Sequence, residues 1–425
     1  MPGVLIAAPG SGAGKTTVTL ALLRLLKTLG HDVRGAKSGP DYIDPRFHEA
    51  ACGAECLNLD AWAMVPDRLR ILAAGNGFLV VEGAMGLFDG TPPAGKGAAA
   101  DVAQSLAIPV VLVVNASHMA QSVAALVRGF AAHDPRITIA GVILNNIGSD
   151  RHERLLRLAL EPLGVPVLAA LHRNPDLTLP SRHLGLVQAG ERADLDAFLD
   201  KAAIELGKSL DVDRLLQIAQ PVRPAKTPTA RLRPPAQTIA IARDQAFAFA
   251  YPHMLNDWRT AGAELRFFSP LADDPVPEAD FVYLPGGYPE LHAGHLSTAK
   301  IFLTTLRNAA QCAEIYGECG GYMTLGETLI DAQGVAHAMA GLLPLATSFE
   351  KRRLHLGYRS LTALRGPFQG SFNGHEFHYA TTLKTDGTPL FRASDAEGMA
   401  LPDMGLVNGK VAGSFAHLID VKHPT

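Results

Sequence analysis

Cys319 lies in Gly317-Glu318-Cys319-Gly320-Gly321, directly after the expected strand 314–316. The spacing is G-x-C-x-G. Small residues on either side of a nucleophile permit the sharp strand-to-helix turn that lifts its side chain to the top of a sheet, so this is the thiol counterpart of the serine elbow. A following helix N-terminus is expected to lower the thiol pKa. Such a nucleophile needs a base, and His417, closing the stretch 411–417 at the end of an expected strand, is the candidate. The loop Pro285-Gly286-Gly287-Tyr288-Pro289-Glu290 follows a further expected strand. Its small residues leave bare N–H groups suited to an oxyanion hole.

A second set of residues points to phosphate. Gly12-Ala13-Gly14-Lys15-Thr16-Thr17 stands between the apolar run 4–7 and a helix-compatible run 18–29. Strand, Gly-rich loop, Lys-Thr and helix is the order of a phosphate-binding loop. Its N–H groups face the anion, Lys15 reaches the β- and γ-phosphates, and the Thr16 hydroxyl is placed to ligand Mg²⁺. One departure is Pro9, where the usual pattern has glycine. Further along, Asp41, Tyr42 and Asp44 share the Gly39–Pro45 stretch, read as a loop because residues before proline avoid helix. Two carboxylates and a phenol there suit Mg²⁺ or a substrate, or form a solvated acidic turn. Glu82 ends a very apolar run, a place that suits an acid at a Mg²⁺–nucleotide site. Asn145 ends another and is suited to an adenine edge or to a turn. Arg182, in the loop 179–185, offers a cation for a carboxylate or phosphate.

These residues need a frame. Apolar runs at 4–9, 33–37, 78–82, 110–115, 137–144 and 167–171 alternate with longer helix-compatible stretches. They are rich in Val and Ile with little alternation, as in strands buried on both faces. The chemistry-bearing residues follow their carboxyl ends, where ligands bind in parallel sheets. Residues 221–236 hold five prolines, four basic residues and no acid, and read as a linker. A second α/β unit starts at 237, with expected strands at 238–242, 265–268, 281–284 and 314–316. The domains are therefore expected at 1–220 and 237–425.

Composition narrows the class. The 425 residues are 48% hydrophobic with a net charge of −3, which supplies large cores and no basic field for nucleic acid. No apolar run approaches the ~20 residues of a membrane span. The start has no basic leader region, so a cytoplasmic protein without membrane partners is expected. Four cysteines are too few for a disulfide framework, and Cys52-x₃-Cys56 alone is a weak metal pattern. His375-Glu376-Phe377-His378 lacks the i, i+4 spacing of a helical zinc motif and reads as a packing or substrate-contacting segment.

With these motifs in hand, the chain resembles the cobyrinic acid and hydrogenobyrinic acid a,c-diamide synthases, glutamine-dependent amidases of cobalamin biosynthesis. The likeness spans nearly the whole length. Its carriers include the loop at 12–17, Gly39-Pro40-Asp41-Tyr42-Ile43-Asp44-Pro45, Glu82-Gly83 with Asp89-Gly90, Asn145, the 285–290 loop, Glu318-Cys319-Gly320-Gly321, Gly374-His375-Glu376-Phe377 and Gly413-Ser414 with His417. The resemblance implies an N-terminal P-loop domain of dethiobiotin-synthetase type with a mostly parallel sheet, and a C-terminal α/β domain like class I glutamine amidotransferases.

It also implies roles. Cys319 attacks glutamine, Gly287 helps hold the oxyanion, and His417 shuttles the proton. ATP and Mg²⁺ bind on Gly12, Gly14, Lys15, Thr16, Thr17, Asp41, Glu82 and Asn145. Tyr42 and Asp89 orient a carboxylate of the corrin, which is phosphorylated and then takes ammonia. The metal-free ring is favoured over the cobalt-bearing one, nickel-sirohydrochlorin is a further substrate, and a homodimer is one expectation for assembly. Class I glutaminases often carry His-x-Glu. Here residue 419 is Ile, so the site reads as a Cys–His dyad. The rival reading is a nucleotide-switch protein whose second domain only binds.

Overall fold

A computed structural model of the chain describes residues 1–179, 181–182 and 185–423. It divides into two compact units, Met1–Thr229 and Ala230–Thr425. The division falls inside the Pro-rich stretch, whose first half is held on unit 1. There the Asp67 carboxylate accepts from the Lys226 and Thr227 N–H groups and from the Thr227 hydroxyl.

Unit 1 is built on β1 (Pro2–Ala7), β2 (Val33–Ser38), β3 (Leu57–Leu59), β4 (Phe78–Glu82), β5 (Val110–Asn115), β6 (Ile139–Ile147) and β7 (Val167–His172), in the order β3-β2-β4-β1-β5-β6-β7. All of these pairs are parallel. A two-residue strand, Gln220–Pro221, runs antiparallel to β1. Strands β4 and β5 are buried almost end to end, as their unbroken Val and Leu runs require. Between β1 and β2 lies α1 (Lys15–Thr28).

The expected loop before Pro45 is shorter than the sequence suggests. Helix α2 (Asp44–Cys52) begins at Asp44, with Pro45 in its first turn. Asp41 Oδ1 accepts from the Ile43 and Asp44 N–H groups at 2.7 and 3.0 Å. The helix start is thereby satisfied from upstream, and proline is tolerated where no N–H is needed.

Unit 2 has a sheet ordered Glu264–Phe268, Thr238–Ala242, Phe281–Leu284, Glu314–Glu318, Val411–Ser414, Leu406–Asn408. The first five strands are parallel and the last antiparallel. Beside it stands an antiparallel sheet of Phe391–Ser394, His355–Ala363, Ser371–His378 and Ala416–Val421. The chain passes from the parallel sheet to the antiparallel one at Phe415. His417 is therefore not the end of a strand, as the sequence suggests, but the second residue of a new one. There it pairs with His375. Among the described residues, no helix is long and apolar enough to cross a membrane.

Candidate active sites

In unit 1 the carboxyl ends of the parallel strands open on a cleft of about 640 Å³, a size that holds a small-molecule ligand. Its lining includes Gly12, Gly14, Lys15, Thr16, Thr17, Asp41, Glu82 and Asn145. Gly14 caps α1 in the left-handed conformation at φ 89°. The helix has no side-chain cap and no acid in its first turn. Its first N–H groups thus remain available to an anion. Lys15 Nζ rests on the carbonyls of Met85 and of Gly10, the latter at 3.3 Å. Burial pulls the Lys15 pKa down, and Glu82 acts against that pull.

Beneath the loop is a buried network that the sequence reading passed over. Glu82 Oε1 accepts from the Thr16 hydroxyl at 2.7 Å and from Lys37 Nζ at 2.8 Å. Glu82 Oε2 meets His48 Nε2 at 2.7 Å, and His48 Nδ1 meets Cys56 Sγ at 3.4 Å. Lys37 Nζ also binds Asp44. Burial works against a charged Lys37, but Asp44 and Glu82 more than offset it and hold the ammonium protonated. For Glu82, burial is overcome by Lys37 and His48, which keep it below the usual carboxylate range. Asp44 is pushed up to about 6, by burial first and by Asp41 next. The signal for Lys37 was present in the sequence. Like Glu82, it is a charge near the carboxyl end of a buried strand.

Other expected residues have different neighbours. Asn145 Nδ2 donates to the Ala13 carbonyl at 2.9 Å, so its amide pins the phosphate loop. Thr17 donates to the Leu177 carbonyl at 3.4 Å. Tyr42 is buried and outside the cleft lining. Asp89 Oδ2 accepts from the Gly86 N–H at 2.9 Å, because the carboxylate serves its own turn. Cys52 and Cys56 are buried thiols. In the loop 179–185, Pro180, His183 and Leu184 lie outside the described residues.

In unit 2, Cys319 occupies the elbow at φ 45° and ψ −100°, a strained conformation for a non-glycine residue. Its N–H is held by the Ser414 carbonyl at 2.8 Å. Gly286 stands opposite. A Cβ placed there would lie 2.2 Å from His417 Cε1, 2.9 Å from His417 Nε2 and 3.3 Å from Cys319 Cβ. The imidazole edge and the Cys319 side chain thus converge on one glycine. The Gly287 nitrogen is 3.0 Å from where a Gly320 Cβ would stand, so the loop backbone abuts the residue after the nucleophile.

The expected fall in the Cys319 pKa is not what the site produces. Burial, then the Glu290 and Glu376 carboxylates, push the thiol well up, and the Gly320 N–H opposes them only in part. The helix behind it spans only Gly320–Leu325, too short for a strong dipole. An acid beside His417 was also missed. His417 Nδ1 lies 3.5 Å from Glu318 Oε2. The signal was an acid placed directly before the cysteine at the buried end of a strand.

The His375–His378 segment is a packed polar network on the strand Ser371–His378. Glu376 pairs with Arg359 at 2.8 Å and with His378 at 2.9 Å. His355, Glu376 and His378 offer ligand atoms within 4.8 Å of one another. The rings of His355 and His378, however, stack with 8° between their planes and centroids 4.6 Å apart. Their in-plane lone pairs run side by side and do not converge on an ion.

Known proteins match both units. Residues 4–187 match the CobQ/CobB/MinD/ParA nucleotide binding domain, and residues 238–424 match the CobB/CobQ-like glutamine amidotransferase domain. Over the whole length, the chain is 54% identical to a hydrogenobyrinate a,c-diamide synthase of Brucella abortus, covering 99% of each chain. It is 51% identical to that of Rhizobium meliloti, with 99% of each covered, and 52% identical to that of Rhodobacter capsulatus, with 98% of each covered. The chain belongs to the hydrogenobyrinate a,c-diamide synthase family. In this family member a nucleotide-binding domain carries the Lys15–Glu82 cleft, and a glutamine amidotransferase domain carries Cys319 and His417. The pairing of domains fits a glutamine-dependent, amide-forming ligase and leaves the nucleotide-switch reading without support.

Proposed function

We propose that this chain converts the a and c acetate carboxylates of hydrogenobyrinic acid to amides, using glutamine as nitrogen donor and ATP as co-substrate. The observation that carries this is the identity to hydrogenobyrinate a,c-diamide synthases over 99% of both chains.

The chemistry divides between the two units. In unit 2, His417 Nε2 takes the Cys319 proton as the sulfur attacks the amide carbon of glutamine. The Gly287 N–H receives the oxyanion, the proton returns to the departing ammonia, and water then releases glutamate from the thioester. Because the thiol is held neutral, proton transfer to His417 coincides with attack and does not precede it. In unit 1, a substrate carboxylate is a poor acyl donor, since its leaving group is oxide. Attack of its oxygen on the γ-phosphorus of ATP expels ADP and leaves an acyl phosphate. Ammonia displaces phosphate from that anhydride and forms the amide. Lys15 and the α1 N–H groups neutralise the phosphates.

The donor set suits Mg²⁺. Thr16 Oγ1 and Glu82 Oε1 are 2.7 Å apart, near the ~3 Å spacing of adjacent oxygens around an octahedral ion with bonds of about 2.1 Å. Asp41 lines the same cleft. Bound there, the ion would neutralise phosphate charge. Lys37, held between Asp44 and Glu82, supplies a fixed positive charge to the cleft lining.

The test incubates the purified chain with glutamine, ATP, Mg²⁺ and hydrogenobyrinic acid and follows the product by mass. Two successive replacements of OH by NH₂ are expected. Cys319→Ala should abolish them with glutamine and spare them with free ammonia. Glutamine and ATP turnover without any change in the ring's mass would sink the substrate assignment.

A further inference from the structure

The base of the glutaminase site lacks an acid at the usual place. Two residues after His417, Ile419 is buried, and its carbonyl accepts from His253 Nε2 at 2.8 Å. An imidazole that must accept a proton at Nε2 needs its other nitrogen protonated and its ring fixed. The fold brings one carboxylate to that position. The strand Glu314–Glu318 runs beside Val411–Ser414, with Glu318 opposite Ser414. The chain then crosses at Phe415 and returns, so that His417 and Leu418 lie over the Glu318 side chain. Glu318 Oε1 accepts from the Leu418 N–H at 3.0 Å. Glu318 Oε2 lies 3.5 Å from His417 Nδ1 and accepts from the Tyr283 hydroxyl at 2.6 Å. Glu318 is 1% exposed and His417 0%.

We propose that Glu318, the residue directly before the nucleophile, is the positioning residue for His417 and supplies from the nucleophile's own strand the carboxylate that is absent after the histidine. One oxygen fixes the backbone beside the imidazole. The other receives Nδ1–H, which selects the tautomer whose Nε2 faces Cys319 and stabilises the imidazolium formed on proton transfer. The 3.5 Å separation is that of an ion pair at rest, and such contacts tighten when substrate binds. Tyr283 shares the second oxygen and so moderates its pull on the proton. His375, paired with His417 across the antiparallel sheet, also bears on this ring, the Tyr316 phenol bears on Glu318, and Glu290 and Glu376 bear on Cys319. The inference rests on the glutaminase reading of Cys319 and His417.

The experiment measures glutamine hydrolysis by the full chain against pH, together with amidation driven by free ammonia. In Glu318→Gln, kcat is expected to fall about 10²–10⁴-fold, with KM for glutamine within about threefold and ammonia-driven amidation kept. The acid limb of the residual activity should move to lower pH, because the imidazolium has lost its anion. Tyr283→Phe removes one donor from Oε2 and should move that limb to higher pH. Glu318→Gln within about threefold of the parent kcat, with the limb unmoved, overturns the proposal. If Glu318→Gln does not fold, Tyr283→Phe decides, and an unmoved limb overturns it. A parent chain that does not hydrolyse glutamine, or a Cys319→Ala chain that does, refutes the glutaminase reading instead.

Discussion

The Thr16 hydroxyl donates to Glu82 Oε1 at 2.7 Å, joining the first turn of α1 to the end of β4. Lys37 shares that oxygen at 2.8 Å. Substitution at the two ends of the bond should therefore have unlike effects. Thr16→Val removes the hydroxyl proposed as a Mg²⁺ ligand and should weaken Mg²⁺–ATP binding about 10–100-fold with little change in stability. Glu82→Gln also strips a buried ammonium of a partner, and should lower unfolding free energy by about 3–5 kcal/mol. Titration calorimetry and urea unfolding separate them. Equal loss of stability in both variants would contradict the network.

Asn145 was suited, by sequence, to reading an adenine edge. Its amide instead holds the Ala13 carbonyl, and a Cβ on Gly14 would come within 2.2 Å of Asn145 Nδ2. A loop-pinning role predicts that Asn145→Ala weakens ATP and GTP to the same degree, by about tenfold, the order of one lost hydrogen bond to the backbone. A base-reading role predicts a selective loss for ATP. Competition binding with the two nucleotides distinguishes them.

Gly286 has no room for a methyl group, since its Cβ would sit 2.2 Å from His417 Cε1. Gly286→Ala must displace the imidazole from the nucleophile. Glutamine hydrolysis should drop by about 10²-fold, the scale of a catalytic geometry lost by an ångström. Ammonia-driven amidation, which does not use this site, should persist. Comparing the two nitrogen sources in one assay checks this, and equal loss with both would show that the fold itself had failed.

Burial, then the charge of His417, brings the His375 pKa down to about 3. The folded chain keeps this imidazole neutral, whereas the unfolded chain protonates it below about 6.5. Between those values the unfolded state binds more protons, so stability is fully present above about pH 6.5 and is lost as pH falls. By pH 5 the loss from this group is about 2 kcal/mol. Urea unfolding followed by Trp258 fluorescence in a Trp62→Phe background should show a flatter acid limb in His375→Asn. An unchanged limb would mean that the ring is not held neutral.

The parallel strands of both units were legible because each is an unbroken apolar run, and Phe78–Glu82, Val110–Asn115 and Phe281–Leu284 stand where those runs predict. The motif residues were legible by type and spacing. Partnerships made across the fold were not. Lys37 reads as the polar end of a strand until β4 places Glu82 beside it. Glu318 reads as part of the elbow until the crossover at Phe415 brings His417 over it. Asp89 and Tyr42 carry suitable chemistry, but Asp89 is taken up by its own turn and Tyr42 by burial, which spacing alone does not encode.

The neutral, buried thiol of Cys319 has a consequence for the chain's encounters with electrophiles and oxidants. Both react with thiolate, and both need access. Cys312 is exposed, while Cys52, Cys56 and Cys319 are buried. A labelling reagent at neutral pH therefore meets Cys312 first and the nucleophile late, so early alkylation counts a surface sulfur while leaving glutamine turnover intact. The same seclusion shields this sulfur from peroxide, and under the proposed mechanism its reactivity is confined to the moments when an amide lies beside His417.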